Sequence, residues 1–191
     1  MRTVSQFIAC TSLATLLLSG CASSPKPPDP VASYVAFLQE HPGANLQGAR
    51  EKAAIARLEA FLGDFTKEKL ERETQIVYAP DARLDDSLKT VYGSKNIQTY
   101  FLASLANSEF IKVQFTDVAR SHNDYYFRWI MDVRFKKLDR GHTVRTIGIT
   151  HIRFNEKGQV ILHQDYWDAT RGLFESVPVI GGGIRWIKGM L

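Results

Sequence analysis

The chain has little cysteine and no apolar run long enough to cross a membrane. Only Cys10 and Cys21 occur in 191 residues, both near the N-terminus, so a disulfide framework is excluded. The N-terminal apolar stretch, Phe7 to Leu18, falls short of the roughly 20 residues a spanning helix needs. No block of five or six like charges occurs, and the formal net charge is +4. Nucleic acid is therefore not an expected partner. Arg134, Lys136, Lys137, Arg140, Arg185 and Lys188 read as solvated surface that could lie near anionic headgroups. Gly181-Gly182-Gly183 has no Lys-Ser/Thr after it and reads as a hinge, not a phosphate loop. No compact metal-ligand spacing appears, so neither a metal nor a cofactor is expected. His151 and His163, if they met on adjacent strands beside Asp165, would be the only conceivable ligand set.

What is present begins at the N-terminus. Arg2, the apolar run and the small pair Ser19-Gly20 have the layout of a secretory signal. Leu18-Ser19-Gly20-Cys21 resembles the lipobox of bacterial lipoproteins. That resemblance implies cleavage before Cys21, acylation of its sulfur and new amine, and a mature chain without a free thiol. Several acyl chains, at about 0.8 kcal/mol per buried methylene, hold a protein to a bilayer. Ala22 after the cysteine implies the periplasmic face of the outer membrane in a Gram-negative source. Residues 22–30 contain four prolines and form an extended tether of roughly 25–30 Å. The expected division is residues 1–20 signal, 21–30 lipidated cysteine and tether, 31–49 a helical segment, and 50–191 the main domain.

Helical spacing is read at Val31, Tyr34, Val35 and Leu38, ending at His41-Pro42-Gly43. A second helix carries Ala53, Ala54, Leu58, Phe61 and Leu62 up to Gly63. Thr66 reads as the N-cap of a short helix to Glu73. A weak strand, 78–84, is interrupted by Pro80. Another helix starts after Gly93, with Ile97, Tyr100, Phe101 and Leu105 on one face. Four strands follow at 110–120, 125–138, 142–154 and 160–167. In the second of these, Phe127, Trp129, Met131, Val133 and Phe135 alternate with Tyr126, Arg128, Ile130, Asp132 and Arg134. This alternation fits an antiparallel sheet with one packed face. Helices followed by a strand meander indicate an α+β fold.

Two segments carry a family resemblance. Tyr92-Gly93-Ser94-Lys95-Asn96-Ile97, with Phe101, resembles a helix start of nuclear transport factor 2-like and SnoaL-like proteins. His163-Gln164-Asp165-Tyr166-Trp167-Asp168 resembles their last-strand ending, and the tail 173–186 is similar to a C-terminal extension in one branch. The resemblance implies a cone: a strongly bent antiparallel sheet around N-terminal helices, with a pocket at the wide end and homodimers through the sheet. It also implies candidate residues. Asp165 is the general-base candidate, since a carboxylate in an apolar cavity is a stronger base than one in water. Asp132 is the second candidate acid. Related epoxide hydrolases carry an Arg two residues before that acid, where this chain has Ile130. Tyr78 and Asp86 lie in regions loosely suited to an oxyanion site. Tyr78, Trp129, His163, Trp167 and Asp168 are the candidate pocket residues, Asp168 also reading as a helix cap.

The segment after Val177 is apolar, with Arg185 and Lys188. It would lie at a membrane interface, or pack over the cone mouth or at a dimer contact. Without a complete catalytic set, the first expectation is non-catalytic binding of an apolar small molecule or a partner protein. The alternatives are a lyase, isomerase or hydrolase using Asp165, and a structural subunit of an envelope assembly.

Overall fold

The computed structural model describes residues 29–138, 141–177 and 180–191. The chain divides into two compact units, 1–37 and 38–191. Cys21 and the signal lie outside the described residues. In the first unit, the chain enters helix α1 (Pro30–Glu40), where the Asp29 carboxylate accepts the Val31 N–H at 3.0 Å. Proline is well placed at a helix start, where its missing N–H costs nothing.

The second unit begins with helices α2 (Gly48–Gly63) and α3 (Lys67–Val77). Thr66 occupies the N-cap position of α3, but its side chain makes no capping hydrogen bond. Strands β1 (Tyr78–Asp85) and β2 (Thr90–Tyr92) come next, then helix α4 (Ser94–Ala106). The meander is β3 (Ser108–Ser121), β4 (Asp124–Phe135), β5 (Thr143–Phe154) and β6 (Val160–Trp167). Two short helices close the chain, α5 (Ala169–Gly172) and α6 (Ile180–Lys188), separated by a turn at Phe174–Ser176.

The strands form one curved, unclosed sheet in the order β2-β1-β6-β5-β4-β3. One neighbour pair corrects the antiparallel expectation: β1 runs parallel to β6. Strand parity shows which face a residue takes, not which distant strand lies beside it. The register of β1 shifts between Tyr78 and Arg83, around Pro80, which has no N–H to give to a ladder. One face of the sheet packs on the helices. Leu58 and Phe61 of α2, Leu70 and Val77 of α3, and Ile97 and Phe101 of α4 meet Tyr125, Phe127, Ile152 and Phe154 in one buried core.

Two further expectations change, and one element, β2, was not foreseen. Gly181-Gly182-Gly183 lies inside α6 and is not a hinge. α3 continues four residues past Glu73, because Thr74 and Val77 extend its buried stripe. β2 is too short for its pattern to stand out in the sequence.

Candidate functional site

Between the sheet and the helices is a pocket of about 140 Å³. For scale, a cavity of roughly 150 Å³ accepts benzene. Its walls are mostly apolar: Leu62 and Phe65 beside α2, Phe101 of α4, Val113 and Phe115 of β3, and Trp129 of β4. Its polar side is formed by Asp86, Tyr100, Thr150, His163 and Asp165. No lysine or arginine lines it.

Strand parity places Asp165. His163 and Asp165 are two residues apart on β6 and therefore share a face. Asp165 pairs with Thr150 of β5, and Ile152 with His163. The Thr150 hydroxyl donates to Asp165 Oδ1 at 2.5 Å. His163 Nε2 lies 3.0 Å from the same oxygen. Behind it, His163 Nδ1 is 2.8 Å from the Tyr78 hydroxyl. Trp129 Nε1–H donates to Thr150 Oγ1 at 2.8 Å.

Donors and acceptors settle the protons in this network. Trp129 can only donate, so Thr150 accepts there and turns its own proton toward Asp165. A carboxylate only accepts, so His163 Nε2–H is the donor to Asp165, with Nδ1 turned to the Tyr78 hydroxyl. Tyr78 stays a neutral phenol, since burial, aided by the Asp165 charge, pushes its ionisation well above the usual range. Two donors thus fix one carboxylate oxygen. Among the described residues none reaches Oδ2, which leaves that oxygen for a molecule in the pocket.

Asp86, the other carboxylate in the wall, is already engaged. Its Oδ1 accepts the Leu88 and Lys89 N–H groups at 3.0 and 2.9 Å, and its Oδ2 accepts the Tyr100 hydroxyl. Burial, then Asp86, holds the Tyr100 phenol above its ordinary range. Trp167 Nε1–H donates to the Asp86 carbonyl at 2.7 Å, and Ser87 Oγ to the Asp165 carbonyl at 2.9 Å. These bonds clamp the turn 85–90 against the pocket.

Two glycines seat the tryptophans. Gly148 pairs directly with Trp129, and a Cβ there would lie 2.2 Å from the indole. At Gly172 a Cβ would lie 2.3 Å from the Trp167 ring.

The structure thus brings Asp165, His163, Trp129 and Trp167 to the pocket and sets Tyr78 behind His163. Asp132 is not brought there. It lies on the opposite face of β4, 3.4 Å from Arg145 on β5, as its alternation with Trp129 and Met131 requires. Arg128 is on that outer face too, paired with Asp117, so the arginine-and-two-acids arrangement of the epoxide hydrolases does not form. Asp168 caps α5, accepting the Arg171 N–H at 3.0 Å. His151 faces away from His163 and bonds Asp124 at 2.5 Å. Sequence reasoning left out Thr150, and it treated Tyr100 only as part of a helix face. Thr150, next to His151 on β5 and so on the opposite face, is set against Asp165 only by the β5–β6 register.

Residues 58–163 match the model of the SnoaL-like domain. The chain belongs to the SnoaL-like family. Solved structures share the fold at low identity. A hypothetical protein with a ketosteroid isomerase-like fold from Catenulispora acidiphila, in complex with trimethylamine, has a TM-score of 0.55 and 17% identity over 64% of this chain and 91% of its own. An LEH-like epoxide hydrolase from M. tuberculosis has a TM-score of 0.53 and 14% identity, covering 72% of this chain and 96% of its own. An NTF2-like protein of unknown function from Exiguobacterium has a TM-score of 0.52 and 14% identity, covering 60% and 98%. No curated protein matches the chain.

Proposed function

We propose that this SnoaL-like protein is an acid–base enzyme that moves a proton on a small, largely apolar substrate, with Asp165 as the base. One observation carries the reading: of the two carboxylates in the wall of a mostly apolar pocket, Asp165 is fixed through one oxygen and open at the other. A fixed base within reach of a substrate contributes about 10²–10⁴-fold to proton transfer. Asp86 and Tyr100 are tied to each other, so the same carboxylate takes the proton and returns it. That is isomerase or lyase chemistry on a carbon acid. The pocket volume suits a substrate near the size of a substituted ring.

The test is deuterium transfer from heavy water into small cyclic ketones and enones, read by NMR. The protein is expected to accelerate exchange beside the carbonyl, and Asp165→Asn to lower it by at least about 100-fold. Equal binding of these probes by both proteins, with no exchange in either, overturns the enzyme reading. It would favour non-catalytic binding of an apolar molecule, which the mostly apolar walls also support.

The Leu18–Cys21 signature supports anchoring by acyl chains on Cys21, on the periplasmic face of the outer membrane in a Gram-negative source. A second copy on the outer sheet face is the expected protein partner, since Ile147, Ile149 and Tyr166 are exposed there. Mass spectrometry of protein purified from membranes reads both. The mass of an uncleaved, unmodified chain rejects the anchor, and a native mass of one chain rejects the dimer.

A further inference from the structure

Helix α6 is held by its polar side. Ile180, Ile184 and Ile187 recur at i, i+4 and i+7, one stripe of a helix. Gly181, Arg185 and Lys188 repeat that spacing one position on, and this second stripe meets the turn at Glu175. A Cβ on Gly181 would lie 2.0 Å from the Glu175 carbonyl oxygen, so only glycine allows the approach. Arg185 Nη1 donates to that carbonyl at 2.9 Å, and Lys188 Nζ to the Glu175 carboxylate at 2.5 Å. The two ends of the isoleucine stripe are left outward, with Ile184 half-buried between them. Ile180 is 54% exposed, Ile187 51%, and Trp186 beside them 68%. Met190 and Leu191 continue the apolar surface. A helix on a globular protein normally turns its apolar stripe inward and its charges out.

We infer that α6 is an interfacial helix, lying in the plane of a bilayer with Ile180, Ile187 and Trp186 toward the acyl chains. The inference rests on the reading of Cys21 as a lipid anchor, and the same chain provides the reasons to choose lipid. An acylated Cys21 and the proline-rich residues 22–28 keep a membrane within roughly 25 Å of residue 29, which raises the effective concentration of lipid at the domain. Tryptophan belongs at the headgroup level, where its apolar ring and N–H are both satisfied. Nine residues at about 1.5 Å each cannot span the roughly 30 Å core, so the helix lies along the surface. The stripe is one helix wide, whereas a stable dimer needs about 800 Å² from each copy. With Arg185 and Lys188 engaged by Glu175, attachment depends on apolar insertion and responds weakly to salt.

The test uses the full chain purified from membranes and returned to vesicles of phosphatidylethanolamine and phosphatidylglycerol, with or without bromine on the acyl chains. Bromine is expected to quench tryptophan fluorescence in the wild type and to lose that effect in Trp186→Phe. Ile187→Asp is expected to lower the quenching about tenfold while the emission of Trp129 and Trp167 reports an intact pocket. An acylated protein without Trp186 quenching overturns the inference and leaves the anchor standing. Quenching in a chain whose mass shows no acyl group upholds α6 and rejects the anchor. Disulfide trapping of two copies through Ile187→Cys, with no quenching, assigns the stripe to a second chain and overturns the inference.

Discussion

At Asp165 the hydrogen bonding depends on residues that carry no signal of their own. Asp165 was legible because the ending His163–Asp168 resembles a family motif. Thr150 was not, because a threonine on a strand is ordinary until the register of a neighbouring strand sets it against a carboxylate. Asp86 and Tyr100 are 14 positions apart, and only the packing of α4 against the turn 85–90 joins them. Gly148 makes the same point through space. Gly148→Ala is expected to push the Trp129 indole off β5, break its bond to Thr150, and destabilise the fold by about 1–3 kcal/mol. Denaturant unfolding measures the loss, and the indole N–H resonance of Trp129 should shift. An unchanged resonance and stability would show that the ring does not depend on the glycine.

At the scale of elements, pattern and partner separate. The alternation along β4 put Trp129 and Asp132 on opposite faces, because successive side chains must leave opposite faces, and the structure shows that the Trp129 face lines the pocket. It was silent on the parallel β1–β6 pair, which depends on where α3 delivers the chain. The β4–β5 hairpin carries a cluster with a measurable consequence. Asp124 accepts His151 Nε2 and Arg153 Nε, each at 2.5 Å, and Arg153 also reaches the Leu38 and His41 carbonyls at 2.6 and 2.8 Å. Burial acts upward on the Asp124 carboxyl, but bonds from Arg153 and His151 outweigh it and hold the group below its usual range. Burial also holds His151 below its ordinary 6.5. The unfolded chain therefore takes up the histidine proton first as pH falls, and stability is expected to decline below pH 6.5 by up to about 1.4 kcal/mol per unit for that proton. Asp124 deepens the loss only at lower pH, where its carboxylate is protonated. Thermal unfolding between pH 7 and roughly 5 reads the slope. His151→Gln is expected to flatten it, and an unchanged slope would assign the proton to another group.

For the whole molecule, a formal net charge of +4 without a block of five or six like charges gave no reason to expect nucleic acid as a partner. Among the described residues no helix is long and apolar enough to cross a membrane. Local order supplied the rest of what could be read directly: the helix spacings, the strand parities, the α+β class and the segment that carries Asp165. These depend on neighbours a few residues apart, whose geometry the backbone periods dictate. Tertiary structure alone decided that Thr150 and His163 share one oxygen of Asp165, that Asp86 is already engaged, that His151 and His163 face apart, and that α6 turns Ile180 and Ile187 outward. Each depends on contacts between segments distant in the chain, and no local period records which segments will meet.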